Sequence, residues 1–145
     1  MARPRFRYLS HTADVELVGY GRGLEEAIEN SALAVLSVAL DVKKIEKSKG
    51  TEESLIIRER ADTVENLVWF VLQDILSKKE ALGLSAFRLK VDTLKEGRAF
   101  SLKGRLFYKK LKENYALLDV KAVTPHDLKV TKGKEGYSVG VTLDV

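Results

Sequence analysis

Residues 61–83, ADTVENLVWFVLQDILSKKEALG, carry the most regular pattern in the chain. Their apolar residues recur with the spacing of one helical face: Val64, Leu67, Val68, Val71, Leu72, Ile75 and Leu76. Asp62 and Glu65 have the spacing of an N-cap residue and its reciprocal partner, and Gly83 is a typical residue at a helix C-terminus. The segment therefore predicts a helix that buries one face in a core.

A second helix is predicted upstream of this segment. The same spacing occurs at Leu24, Ile28, Ser31, Ala32, Val35 and Ala39. Residues 33–40, LAVLSVAL, are apolar on nearly all sides, which predicts a helix sunk in the core rather than one lying on the surface. Between the two helices, the polar residues 43–51 predict a loop, and residues 54–60, SLIIRER, predict a strand.

The remaining segments alternate in polarity as β-strands do. They lie at residues 6–8 and 15–19 on either side of a polar link, at 87–91 and 100–108 around a turn, in short pieces from 120 to 130, and at 137–145. This order of elements predicts an α+β sandwich with mostly antiparallel pairing and two main helices packed on one face of the sheet. The glycines of residues 19–23 lack the spacing of a dinucleotide-binding loop and predict a strand-to-helix turn.

The composition limits the possible classes of protein. The chain has 145 residues, 45% of them hydrophobic, with a net charge of +4, which predicts one domain spanning residues 1–145. Because the chain has no cysteine, any metal must be held by oxygen or imidazole. No window is long and apolar enough to span a membrane, and the first residues lack the apolar run of a signal peptide, so we expect a soluble cytoplasmic protein.

The positive charge is concentrated in residues 95–113, which carry seven basic and two acidic residues. Since the whole chain has a net charge of +4, the rest of it is nearly neutral. One interpretation is an electrostatic docking surface for phosphate or for an acidic partner. The other is an ordinary solvated face, because 32% of the residues in this chain are charged.

Two carboxylates at strand boundaries are candidate metal ligands. Asp14 and Asp144 each alternate with inward-facing apolar neighbours, so both side chains are expected to point away from the core. They can meet only if their strands adjoin. In that case Asp14, Asp144 and the terminal carboxylate of Val145 form an oxygen cluster that suits Ca²⁺, Mg²⁺ or Mn²⁺. The alternative is that Asp14 caps a turn and that the terminus is frayed.

His11 and His126 are the only histidines, and each is followed closely by an aspartate. Such a pair could act as a general base or as metal ligands. A hydrogen-bonded structural role is the more common one for a histidine beside a turn. No nucleophile elbow accompanies the serine and threonine hydroxyls, so the pattern does not favour hydrolytic catalysis.

Five short sequence motifs, in a fixed order along the chain, resemble those of the archease family. They are HTADV at 11–15, GYG at 19–21, LEEA at 24–27, KAVTPHDL at 121–128 and LDV at 143–145. The resemblance spans the chain and implies a small non-catalytic protein that activates an RtcB-type RNA ligase, the enzyme that joins tRNA halves. It implies that this activation promotes the ligase-GMP intermediate and multiple turnover. It also implies chaperone-like modulation of a tRNA cytosine methyltransferase.

The resemblance further implies a divalent metal ion bound by Asp14, Asp144 and the terminal carboxylate or main chain of Val145. Calcium is the ion that the resemblance favours. Asp41 stands where relatives often have another acidic motif. It could approach the same end of the sheet as the predicted metal ligands. Family members often carry tyrosine at the position of Pro125. The role of that aromatic residue is therefore not transferred, and the neighbouring His126 is only a secondary site candidate.

A stand-alone tRNA-binding or chaperone module is the main alternative. The basic segment, residues 95–113, also carries Phe107 and Tyr108, which could stack on bases. Against this alternative, the net charge of this segment is modest for a protein that binds nucleic acid alone. As a ligase activator, the protein would contact tRNA only weakly or indirectly.

Overall fold

The computed structural model describes residues 3–9 and 14–145. The described strands are β1 (Phe6–Leu9), β2 (Val15–Gly21), β3 (Glu52–Ala61), β4 (Ser85–Lys95), β5 (Phe100–Lys109), β6 (Ala122–Gly133) and β7 (Gly136–Asp144). The described helices are α1 (Leu24–Ala39), α2 (Val42–Lys47) and α3 (Val64–Leu82).

The strands form two sheets in which all neighbouring strands are antiparallel. The four-stranded sheet has the order β1-β2-β7-β6, and the three-stranded sheet has the order β3-β5-β4. Helices α1 and α3 contact both sheets, and the buried side chains form one continuous core. The predicted antiparallel α+β sandwich is confirmed. The helices have a sheet on each side, however, because the second half of α1 is buried nearly all round.

Two glycines allow α1 to lie directly against β2. A Cβ atom added at Gly19 would come within 2.5 Å of the main-chain nitrogen of Ser31, and one at Gly21 would overlap the main-chain nitrogen of Ala27. Both glycines belong to β2, whereas Gly23 is the N-cap of α1. Only the end of the glycine cluster therefore forms the predicted strand-to-helix turn, and the rest serves close packing.

Helix α3 has the predicted extent and the predicted buried face. Its buried residues are Leu67, Val68, Val71, Leu72, Ile75 and Leu76. The N-cap is Thr63, whose hydroxyl accepts a hydrogen bond from the Asn66 N–H at 3.1 Å, so the prediction that Asp62 caps the helix with Glu65 as its partner was wrong by one residue. Gly83 ends the helix in the left-handed conformation, at φ 61° and ψ 42°. Among the described residues, no helix is long and apolar enough to cross a bilayer.

Residues 43–51, predicted as a loop, contain most of α2. Asp41 caps this helix by accepting a hydrogen bond from the Lys44 N–H at 3.2 Å, and Val42 and Ile45 are buried. The other end is capped from a distant strand by the Nζ of Lys109. This ammonium group donates hydrogen bonds to the carbonyl oxygens of Ile45, Glu46 and Ser48, at 3.0, 2.9 and 2.9 Å. So short a helix depends on such outside partners, which a local pattern does not reveal.

The late strands are more continuous than predicted. The short pieces between residues 120 and 130 are parts of one strand, β6, which has a single irregularity between Thr124 and Lys129. Pro125 lies inside this irregularity, as expected for a residue without an N–H to donate. Strand β7 ends at Asp144, so Val145 lies just beyond the strand.

Candidate functional site

The pairing of β2 with β7 brings the two predicted carboxylates together. The register pairs Val15, the first residue of β2, with Leu143; Asp14, in the bend just before β2, and Asp144 are the next residues beyond this pair, which sets Asp14 opposite Asp144. Both residues are exposed. Residues opposite each other on adjacent strands have Cβ atoms about 5 Å apart, a separation at which two carboxylates can share one cation.

Main-chain hydrogen bonds fix the chain around Asp144. Ala122 of β6 pairs with Asp144, and the Lys121 N–H donates a hydrogen bond to the Asp144 carbonyl oxygen at 2.8 Å. The side chain of Val145 is partly buried against the core. We call Asp14, Asp144 and the main-chain oxygen of Val145 the acidic rim.

Two side chains of α3 hold the strand next to the acidic rim. The Nε1 of Trp69 donates to the Val123 carbonyl oxygen at 2.7 Å, and the Oε1 of Gln73 accepts from the Val123 N–H at 3.0 Å. Val123 pairs with Leu143, which pairs in turn with Val15. The helix thus positions the row of strand residues next to the two carboxylates. Sequence reasoning missed this contact, although two polar groups one helical turn apart beside an apolar stripe were a usable signal.

The acidic rim offers hard oxygen donors. Ca²⁺ takes about six to eight oxygen ligands, and two carboxylates with a main-chain oxygen supply only part of that number. In the described part of the chain, no group of three or more His, Asp or Glu side chains is placed to hold a metal ion. The rim therefore fits Ca²⁺ with positions left for water or for ligands from a partner, and it fits zinc poorly.

The other sequence candidates have different positions. Asp41 caps α2, and its N–H donates to the Tyr115 carbonyl oxygen at 2.8 Å, so this residue has a structural task. His126 is exposed in the irregular stretch of β6, further along the strand than the position that pairs with Asp144. The fold thus does not bring His126 to the acidic rim. His11 lies outside the described residues.

Three of the seven basic residues in 95–113, Lys95, Lys103 and Arg105, belong to a larger surface. Directly paired residues share one face of an antiparallel sheet. Arg58 pairs with Lys103, and Lys90 pairs with Arg105, all of them on the solvent side of the three-stranded sheet. We call this side the basic face. Its cations are Arg58, Arg60, Arg88, Lys90, Lys95, Lys103 and Arg105. Most of them lie outside residues 95–113 and can be grouped only when the strand order is known.

Lys109 is one of the four basic residues of that segment that are not on the basic face, and one aromatic residue of the segment joins the face. Lys109 is only 7% exposed, because its ammonium group caps α2. Phe107 lies among the cations of the face, with the guanidinium carbons of Arg88 and Arg105 at 4.5 and 5.2 Å from its ring centroid. Both aromatic side chains are partly buried against the core, but Tyr108 pairs with the buried Ala86 and points to the other side of the sheet. Of the two aromatic residues predicted to contact bases, only Phe107 is therefore on the basic face.

The fold and the acidic rim define a small two-sheet α+β protein with a candidate oxygen-donor cation site at one end of a sheet. The family described as "Archease protein family (MTH1598/TM1083)" matches residues 6–145. Protein archease of Pyrococcus abyssi is 31% identical over 134 residues, which cover 91% of this chain and 92% of that one. Protein archease of Sulfolobus acidocaldarius is 30% identical over 145 residues, which cover 97% and 99%. The chain therefore belongs to the archease family, and the resemblance in the sequence is confirmed.

Solved structures share the fold. The solution structure of Methanobacterium thermoautotrophicum protein 1598 matches with a TM-score of 0.79 at 23% identity, covering 97% of this chain and 99% of that one. The crystal structure of an archease from Thermotoga maritima, described as a possible chaperone, matches with a TM-score of 0.53 at 19% identity, covering 100% and 98%. At these identities the two structures support the fold class alone.

Proposed function

We propose that this protein is a non-catalytic, metal-binding activator of an RtcB-type RNA ligase. The observation that carries the proposal is the register that sets Asp14 opposite Asp144 at an exposed sheet end. These two residues and the terminal carboxylate or main chain of Val145 bind a divalent cation, with calcium as the first candidate. The protein promotes formation of the ligase-GMP intermediate and thereby multiple turnover.

The openness of the acidic rim suits an activator better than a structural metal site. A divalent cation bound there supplies positive charge that a nucleotide triphosphate or a ligase carboxylate can share. Asp144 ends β7 and Asp14 directly precedes β2, so the pairing of these two strands keeps the two residues at the same end of the sheet. Because the rim fills only part of a calcium ion's coordination, the partner completes it. Organising the groups that react in guanylylation lowers the barrier to that step.

Two exposed leucines on the segment that leads to the acidic rim support a protein partner. Leu117 is 60% exposed and Leu118 is 44% exposed. Their segment is tied to the end of α1, where the Leu117 N–H donates to the Ala39 carbonyl oxygen at 2.8 Å. It then reaches the rim at Lys121, which bonds the main chain of Asp144. Large apolar side chains exposed next to a polar site are typical of protein interfaces.

Multiple-turnover RNA ligation tests the proposal. The RtcB-type ligase is assayed with GTP, divalent metal and excess RNA, with and without this protein, and the ligase-GMP intermediate is measured with labelled GTP. We expect wild-type protein to raise both the intermediate and the number of turnovers. Asp14→Asn and Asp144→Asn each remove a carboxylate with little change in volume, and both should lose most of the stimulation.

Asp62→Asn is the matched control, because it makes the same chemical change at an exposed position next to α3. It should stimulate the ligase as the wild type does. Circular dichroism verifies that all three variants are folded. Full stimulation by folded Asp14→Asn and Asp144→Asn, with metal in excess over the ligase, would contradict the proposal.

A chaperone-like modulation of a tRNA cytosine methyltransferase is a second candidate. It is favoured by the description of the Thermotoga maritima relative as a possible chaperone and by the exposed Leu117 and Leu118. Light scattering of the methyltransferase at elevated temperature, with and without this protein, tests it. The double variant Leu117→Ser and Leu118→Ser should protect less than wild type, whereas Leu82→Ser, at an equally exposed leucine on α3, should protect fully. Equal protection by both variants would exclude this docking site.

A further inference from the structure

We propose that the basic face binds single-stranded nucleic acid, with backbone phosphates on its cations and an unpaired base stacked at Phe107. This surface is the solvent side of the three-stranded sheet, whereas the acidic rim lies at one end of the four-stranded sheet. Helices α1 and α3 lie between the two sheets. The inference therefore goes beyond the proposed ligase activation and does not depend on a bound cation.

The charge on the basic face calls for a polyanion. Seven cations project from it, one of which, Lys90, forms an ion pair with Glu29 of α1 at 3.8 Å; within the described strands the carboxylates on the same side are Asp92 and, at the start of β3, Glu52. Asp92 is held by Arg105, whose Nε and Nη2 donate to its two oxygens at 3.0 and 2.9 Å. The whole chain carries a net charge of +4, so the rest of the protein is close to neutral. The excess charge is thus confined to one surface, which is the pattern of a nucleic-acid-binding face.

The cations are distributed along a path rather than gathered around a point. Four of them line a shallow groove of about 480 Å³: Arg58, Arg60, Lys95 and Lys103. Cations on the same side of one strand are about 7 Å apart, and those on neighbouring strands are about 5 Å apart. This spread matches a chain of phosphates better than a single phosphate group, because each cation can meet a different charge.

Phe107 favours nucleic acid over an acidic protein. Its ring lies among the cations, with the guanidinium groups of Arg88 and Arg105 near it. Aromatic rings and guanidinium planes both stack on bases, and they do so without regard to base identity. A base must be unpaired to lie flat on such a surface, so the ligand is single-stranded.

Fluorescence anisotropy with a short labelled single-stranded RNA, measured over a range of salt concentrations, tests the proposal. The double variant Arg58→Gln and Lys103→Gln removes two directly paired cations from the groove. If each meets one phosphate, the slope of log affinity against log salt should become shallower by about 1.4, which is about 0.7 for each lost contact. Phe107→Leu keeps an apolar side chain and should weaken binding by about 5- to 150-fold without changing the slope.

The matched control is the double variant Lys129→Gln and Lys134→Gln, which removes the same charge from exposed positions on β6 and its turn. It should keep the affinity and the salt slope of the wild type. Equal effects of the two double variants would overturn the proposal, because binding would then follow net charge alone. Binding of a polyglutamate peptide as tight as that of RNA would also overturn it and would assign the face to an acidic protein. Thermal unfolding verifies that every variant is folded.

Discussion

The acidic rim and the basic face are built in different ways. The rim depends on one register, because only the pairing of Val15 with Leu143 sets Asp14 opposite Asp144. A shift of β7 by two residues would separate the carboxylates, whereas the same shift of β5 would leave its cations on the same face. The rim should therefore respond sharply to changes in the packing that fixes β2 and β7. The basic face should respond in small steps as individual cations are removed.

The largest expected effect comes from Gly21→Ala, which breaks the support of β2. The added Cβ would overlap the main chain of Ala27, so α1 must move away from the strand. Because backbone cannot yield as a flexible side chain can, we expect a loss at or above the upper end of the usual ~1–3 kcal/mol for overpacking. Gly97→Ala in the hairpin next to the basic face is the control, since its nearest atom is 3.9 Å away. Thermal unfolding should separate the two variants clearly, and equal melting temperatures would refute the close packing.

Calcium is the next test, because it should act on the rim alone. At a free concentration a hundred times the Kd, one bound ion stabilises a protein by about 2.7 kcal/mol, so calcium should raise the Tm of the wild type and EDTA should reverse the rise. Asp144→Asn should lose most of this shift. The double variant Arg58→Gln and Lys103→Gln should keep it, since both cations lie on the other sheet. An undiminished calcium shift in Asp144→Asn would remove this residue from the site.

The fold was largely predictable because its elements have regular periods. The apolar residues of α3 recur with the period of a helix, and those of the strands alternate with polar ones. The second half of α1 is apolar on nearly all sides. In each case the residues that are buried in the structure follow the same pattern as the apolar residues in the sequence. Helix α2 was not predictable in this way. It buries only Val42 and Ile45, and its C-terminal cap, Lys109, comes from a strand far along the chain. A local pattern contains no sign of such a contact.

The two candidate sites were predictable to different degrees for the same reason. Asp14 and Asp144 could be named from the sequence because each marks a strand boundary, and only the adjacency of the strands was missing. The basic face could not be assembled, because Arg58 and Arg88 come from strands that meet only through β5. Proximity in sequence grouped Lys109 with the patch instead, although its side chain turns into the protein. Sequence reasoning finds residues, and strand order decides which of them share a surface.

Gln73→Leu tests whether α3 positions the rim. The substitution leaves the N–H of Val123 without its acceptor, which should cost about 1–2 kcal/mol in urea unfolding. It should also reduce the calcium-induced Tm shift, since Val123 pairs with Leu143 beside Asp144. Gln73→Glu keeps an acceptor oxygen and should restore most of both quantities. RNA binding should be the same in all three proteins, and a weaker RNA affinity in Gln73→Leu would contradict the independence of the two regions.

The smallest expected effect is a pH dependence of the protein's stability. It arises from Glu59, on the core side of the sheet that carries the basic face. Burial raises the pKa of Glu59 from 4.5 to about 7, helped by its hydrogen bond with Asp74 and by the charge of Asp74, and opposed by Lys78. Between these two pH values the folded protein holds a proton that the unfolded chain releases. Its stabilising contribution is therefore complete below pH 4.5 and is lost as the pH rises through about 7.

Glu59→Gln should remove this dependence of stability on pH. Glu53→Gln, at an exposed carboxylate on the same strand, should retain it. Because Glu59 is partly exposed, solvent screening limits the expected change to on the order of 1 kcal/mol, so Tm should be compared across the pH range for all three proteins. Glu59 pairs with the buried Leu102, so its carboxyl group lies on the opposite side of β3 from Arg58 and Arg60. A face built by accumulated charge should bind RNA only slightly more tightly in Glu59→Gln at pH 7. A large gain in RNA affinity would mean that a single titrating residue controls binding at the basic face, as a single strand register controls the acidic rim.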